Sequence, residues 1–131
     1  MSGELKRVGA ITLFVANPKR SKSFYERVFD APAVYEVDDA TTFEFDNTLV
    51  NLLALPAACE LIDPGTVASA NGGSRLQLTI WVDDADAACA ELGRRGVGLL
   101  NGPCDREWGV RTAAFADPDG HIWEIAQQLG G

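Results

Sequence analysis

The sequence predicts an α+β fold built from two tandem βαβββ modules whose eight strands make one curved, mixed sheet. Three observations carry this. Two stretches of alternating apolar residues each run into a helix-capping signal, three short extended segments follow each helix, and a stretch rich in glycine, proline and small polar residues separates the two copies. A repeated unit that cannot bury its own sheet face is expected to pair with its copy. The chain of 131 residues is therefore read as one domain, since that length supplies one core and not comfortably two. Module one spans about residues 6–56, the connector 57–74 and module two about 75–128.

In module one, residues 9–16 alternate Ile11, Leu13 and Val15 with Ala10, Thr12 and Phe14, as a strand does. Asn17-Pro18 then supplies an N-cap and a proline at the first helical position. From residue 19 to 29, Ser21, Phe24, Tyr25, Val28 and Phe29 fall on one helical stripe. Extended segments are expected at 33–37, 41–46 and 49–55, with Asp46-Asn47 as a turn. Module two repeats the order. Leu76, Leu78, Ile80 and Val82 alternate with Gln77, Thr79 and Trp81. Asp83-Asp84 caps a helix with the stripe Ala85, Ala88, Cys89 and Leu92, which Arg94, Arg95 and Gly96 close. Segments at 98–104, 110–116 and 121–127 follow, the last two joined by the turn Asp117-Pro118-Asp119-Gly120. Leu13-Phe14-Val15 then corresponds to Ile80-Trp81-Val82, and Asn51 to Glu124.

Hydrophobic residues at 47% and charged residues at 23% exclude a disordered chain. A net charge of −8 with no basic stripe makes nucleic acid and anionic membrane poor partners. No apolar run is long enough to cross a bilayer, and the first residues lack a secretory h-region. Cys59, Cys89 and Cys104 are odd in number and lack a framework spacing, so reduced thiols and a cytoplasmic location are expected.

Thr12-Leu13-Phe14-Val15-Ala16-Asn17 with Ser23-Phe24-Tyr25, and Trp108-Gly109-Val110-Arg111 with the run from Phe115 to Glu124, resemble the two half-signatures of the vicinal oxygen chelate superfamily. This group takes in glyoxalases, bleomycin resistance proteins and extradiol dioxygenases. The resemblance implies a sheet curved around a small-molecule cavity. It also implies four positions where the family's metal enzymes hold a divalent ion, one on the first and last strand of each half. Here these are Ala10, Asn51, Gln77 and Glu124. Alanine has no donor atom, the two amides are neutral, and only Glu124 keeps the family's residue type, so no metal ligands and no cofactor are expected. His121 sits at a turn with the opposite strand parity and is read as structural.

Strand parity puts Thr12 and Phe14 beside Ala10, Thr79 and Trp81 beside Gln77, and Leu49, Leu53 and Leu55 beside Asn51. Ile122 joins Glu124, and Trp108 and Thr112 are expected to reach the same cavity. The ligand-binding set is thus Thr12, Phe14, Asn51, Leu53, Gln77, Thr79, Trp81, Trp108, Thr112 and Glu124. Trp81 and Trp108 either stack on a planar ligand, hold a cation over their rings, or fill core. Glu124, the one candidate catalytic residue, either meets a ligand cation, moves a proton, or is a relic held by Gln77 and Asn51. Arg111 is expected to pair with an acidic neighbour. The leading expectation is a homodimeric binder that sequesters an organic ligand or antibiotic without metal chemistry, similar to the bleomycin resistance branch. The alternative is a metal-dependent lyase, isomerase or dioxygenase with Glu124 as ligand or base. A regulatory domain with an empty cleft is a third reading.

Overall fold

The computed structural model describes residues 4–130. In chain order they form β1 (Ala10–Val15), α1 (Pro18–Val28), β2 (Ala33–Val37), β3 (Ala40–Glu44), β4 (Leu49–Ala54), α2 (Leu55–Ile62), β5 (Gln77–Trp81), α3 (Ala85–Arg94), β6 (Asn101–Asp105), β7 (Val110–Ala116) and β8 (Ile122–Gln128). This is the βαβββ order twice over, and all eight expected strands are present. Hydrogen bonding divides them into two four-stranded sheets, β1-β4-β3-β2 and β5-β8-β7-β6, where the sequence reading had one sheet of eight. The division is physical. Each module's first strand pairs in parallel with its own fourth strand, β1 with β4 and β5 with β8, so every strand pairing stays within its module and leaves β1, β2, β5 and β6 at sheet edges. The chain forms two compact units that meet at Ser69 and Ala70, inside the expected connector.

In the first unit the predicted cap forms: Asn17 Oδ1 accepts from the Arg20 amide at 3.1 Å, and Pro18 opens α1. The helix buries Ser21, Phe24, Tyr25 and Val28. Tyr25 stacks on Phe29 and meets Phe43 of β3, with ring centroids 5.4 and 5.8 Å apart. Leu13, Val15, Phe43, Val50 and Leu52, all almost fully buried, form the sheet side of this core.

Helix α2 is a correction. The sequence reading ran a strand to Leu55 and an open connector from residue 57. Instead Pro56 lies in the first helical turn, where its fixed φ and missing N–H cost nothing, and the good helix formers Ala57 and Ala58 follow. Leu55, Ala58 and Ile62 fall on one helical stripe, with Ala58 fully buried and Leu61 exposed on the other side, but the eight residues open a stretch rich in proline, glycine and small polar residues that reads as connector. The helix packs against β1 and β4.

In the second unit, Asp84 Oδ1 caps α3 by accepting the Ala87 amide at 3.0 Å. Beyond the C-terminus the Gly96 amide bonds Gly93 O and the Val97 amide bonds Leu92 O. This is a Schellman closure that requires the left-handed φ of +84° at Gly96. Ala85, Cys89 and Leu92 are the helix's buried residues, and Ala113, Phe115, Trp123 and Ile125 are among those of the sheet. Strand β6 begins three residues later than expected and is bulged between Asn101 and Cys104. Gly102 allows the bulge: a Cβ there would lie 2.4 Å from the Thr112 carbonyl oxygen.

Candidate functional site

The registers show which residues share a face. In the first unit Thr12 lies opposite Asn51, and Asn51 opposite Thr42 on its other side. The neighbouring row is Phe14, Leu53 and Ala40, and on the other flank Ala10 faces Leu49. These residues alternate with Leu13, Leu52 and Phe43 of the core, so they lie on the opposite face of the sheet. Phe14, Leu49, Asn51 and Leu53 are half-exposed there. Leu55, expected among them, is not on the strand at all, because the chain has already entered α2.

The second unit has the same plan. Gln77, Thr79 and Trp81 face Ile122, Glu124 and Ala126. Across β8, Ala114 faces Glu124 and Thr112 faces Ala126. The proposed internal correspondence is therefore a matter of register: Leu13 pairs with Leu52 as Ile80 pairs with Ile125, and Asn51 stands where Glu124 stands.

The two central polar groups are held differently. The Thr42 hydroxyl donates to Asn51 Oδ1 at 2.8 Å, whereas the Thr79 hydroxyl donates to Glu124 Oε1 at 2.9 Å. The cause is one residue. The position equivalent to Thr42 is Ala114, which has no hydroxyl, so Glu124 takes its donor from the other neighbouring strand. Glu124 is half-exposed, and its partner is this threonine.

Thr112 lies on the same face but is only 3% exposed, and its hydroxyl accepts from Arg106 Nε at 2.9 Å. Trp81 is 60% exposed at the end of β5, so it is not core. Trp108 departs from expectation. It sits on the tight turn between β6 and β7, where the Gly109 amide bonds Arg106 O, and it is 72% exposed. A turn tip projects its side chain into solvent and does not align it with the strand face. Trp123 is the buried tryptophan.

Arg111, on the helix side, bonds Asp105 at 2.6 Å and Asp86 at 3.2 Å. The hydrogen bond to Asp105 raises the guanidinium's pKa further and lowers that of the carboxyl. This structural pairing was expected. Asp117 Oδ1 takes the amides of Asp119 and His121, both at 2.9 Å, which ties His121 into the last turn. Burial and the nearby Asp86 push the Cys89 thiol up, so it stays protonated in the α3 core.

The family's metal positions can be tested against the donors present. Module one offers the methyl of Ala10 and the amide of Asn51, whose oxygen already accepts from Thr42. Module two offers the amide of Gln77 and the carboxylate of Glu124. Neither pair supplies an imidazole or a second carboxylate, and among the described residues no three His, Cys, Asp or Glu side chains gather. This donor set does not fit a transition-metal ion. Arg106 is the site-face residue that sequence reasoning missed. It stands between Asp105 and Glu107, a context that reads as an ordinary solvated turn.

The sequence matches the Glyoxalase/Bleomycin resistance protein/Dioxygenase superfamily over residues 7–125. It is 31% identical over 123 residues to the uncharacterized protein YraH of Bacillus subtilis, covering 91% of this chain and 96% of that one. A crystal structure of a glyoxalase/bleomycin resistance protein/dioxygenase from Nocardioides superposes with a TM-score of 0.85 at 20% identity, over 95% of this chain and 84% of that one. A glyoxalase-related enzyme from Fulvimarina pelagi gives a TM-score of 0.80 at 24% identity, over 95% and 89%. Repeated module, strand register and sequence match agree, and the chain belongs to the glyoxalase/bleomycin resistance protein/dioxygenase superfamily.

Proposed function

We propose that this protein binds a small organic molecule, a metabolite or an antibiotic, and sequesters it without metal chemistry. One observation carries the reading. The sheet faces that bear the family's ligand positions present Phe14 and Leu53 around Asn51 in one unit and Trp81 near Glu124 in the other, with Ala10 where a metal ligand would stand. Apolar and aromatic surface with a few placed polar groups is the usual chemistry of small-molecule recognition. Glu124 then orients the ligand through a hydrogen bond or charge.

The protein works as a homodimer in the cytoplasm under this proposal. Edge strand β2 supports the dimer, since its free ladder groups and the exposed Val34, Tyr35 and Val37 suit pairing with a second chain. The three free cysteines suit a reducing compartment.

The test is a tryptophan-fluorescence titration of the purified protein against a metabolite and antibiotic library, with metal analysis of the same preparation. Saturable quenching that is lost in Trp81→Phe supports the proposal. Stoichiometric zinc, nickel, manganese or iron that disappears in Glu124→Gln would instead establish the metal-dependent enzyme.

A further inference from the structure

Of the eleven lysines and arginines, four are half-buried: Lys22, Arg95, Arg106 and Arg111. Three of them meet carboxylates. Lys22 bonds Glu36 at 2.7 Å, Arg95 bonds Glu91 at 2.9 Å, and Arg111 bonds Asp105 at 2.6 Å. Arg106 does not. Its Nε donates to the hydroxyl of Thr112 at 2.9 Å, and it has no ion pair among the described residues. In a chain of net charge −8, a half-buried guanidinium without a carboxylate is unexpected, because removing its charge from water is compensated only by a partner.

Its position explains what the partner could be. The Arg106 amide bonds Val110 O at 2.7 Å, which places Arg106 across the hairpin from Val110. Val110, Thr112 and Ala114 share the face of β7 that lies beside Gln128, Ala126 and Glu124 of β8. The bond to Thr112 holds the head group over that face. Thr112, Ala126 and Trp81 then form one row across three strands, with Glu124 in the adjacent row. With Nε engaged, the two terminal nitrogens keep a fork of N–H donors, the geometry that takes both oxygens of a carboxylate.

We propose that Arg106 is the anion anchor of the binding face and that the ligand is an organic acid. Its carboxylate is gripped by Arg106 and its apolar body packs on Trp81, because Ala126 in the row between them is 1% exposed and offers no contact surface. Thr112 is a positioning residue that fixes the guanidinium. Glu124, of opposite charge on the same face, accepts a donor such as an amine or hydroxyl carried by the same acid. This assignment rests on the small-molecule-binding reading above and sharpens it to one ligand class.

The test uses phenylacetate and its neutral isostere phenylacetamide, titrated into the full-length protein and followed by 1H–15N NMR. Phenylacetate is expected to shift the Arg106 Nε–H and Trp81 indole resonances saturably, at least tenfold more tightly than phenylacetamide. Arg106→Gln should abolish that preference while keeping a dispersed spectrum, and Arg106→Lys should retain part of it. Equal affinity for the two probes, or a preference that survives Arg106→Gln, overturns the anion anchor and leaves the binding face standing. If neither probe moves any resonance of this face, the anchor and the binding reading fall together.

Discussion

At the level of single residues, the two modules differ most where chemistry would sit. Asn51 and Glu124 hold equivalent positions, yet each is fixed by a different threonine because Thr42 is replaced by Ala114. Glutamine at 124 keeps an oxygen to accept from the Thr79 hydroxyl and loses only the charge of a half-exposed acceptor, so Glu124→Gln should change folding stability by about 1 kcal/mol at most. Urea denaturation measures this, and a much larger loss would mean that Glu124 is held by more than Thr79. The cysteines should separate equally clearly. Cys59 is exposed, whereas Cys89 is buried with its thiol pushed up. A thiol reagent at neutral pH should therefore label Cys59 at least tenfold faster than Cys89, because only the thiolate reacts. Mass spectrometry of the labelled peptides gives both rates.

At the level of elements, the helix starts are local and additive. Asn17→Ala and Asp84→Ala each remove a side-chain acceptor from the first turn and should each cost about 1 kcal/mol, read from denaturation midpoints. The helices lie in different units, so the double variant should lose close to the sum. The bulge in β6 is not local. Gly102→Ala would drive a Cβ toward the Thr112 carbonyl and impose a left-handed φ of +85° on a residue that resists it. It should destabilise by more than either cap variant. It should also disturb the Arg106–Thr112 bond, because the clash falls on the backbone of that same threonine.

For the whole molecule, stability against pH follows from the paired surface charges. Hydrogen bonds from Arg111 lower the Asp105 carboxyl below its ordinary 3.8, and those from Arg94 and Arg95 lower Glu91 below 4.5. Depressed carboxyl values stabilise the fold above those ordinary values, and the gain is lost as pH falls through the lower folded ones. The Cys89 thiol, raised above 9.0, acts in the opposite sense: its contribution is present below 9.0 and is lost as pH rises through the raised value. These three groups should thus lower the thermal midpoint below pH 4.5 and above pH 9.0, with Arg111→Gln weakening the acid limb. Calorimetry across pH checks this. Phe43 and Phe115, equivalent and fully buried in their own units, should each cost about 3–5 kcal/mol when cut to alanine.

The order of the strands and of helices α1 and α3, their two caps, the pairing of Arg111 and the internal correspondence were all legible in the residues. They rest on alternation, on helical stripes and on side chains that bond their own neighbourhood, and each of these leaves a pattern within a few positions. Tertiary structure decided the rest. Helix α2 was hidden because its stripe of Leu55, Ala58 and Ile62 is short and opens a proline- and glycine-rich stretch, and the strands it packs on, β1 and β4, are known only from the fold. The exposure of Trp108 depended on where a turn tip points, which strand parity does not describe. Arg106 was invisible because its meaning lies in having no carboxylate partner among the described residues, which can be recognised only after folding has assigned carboxylates to the other half-buried cations.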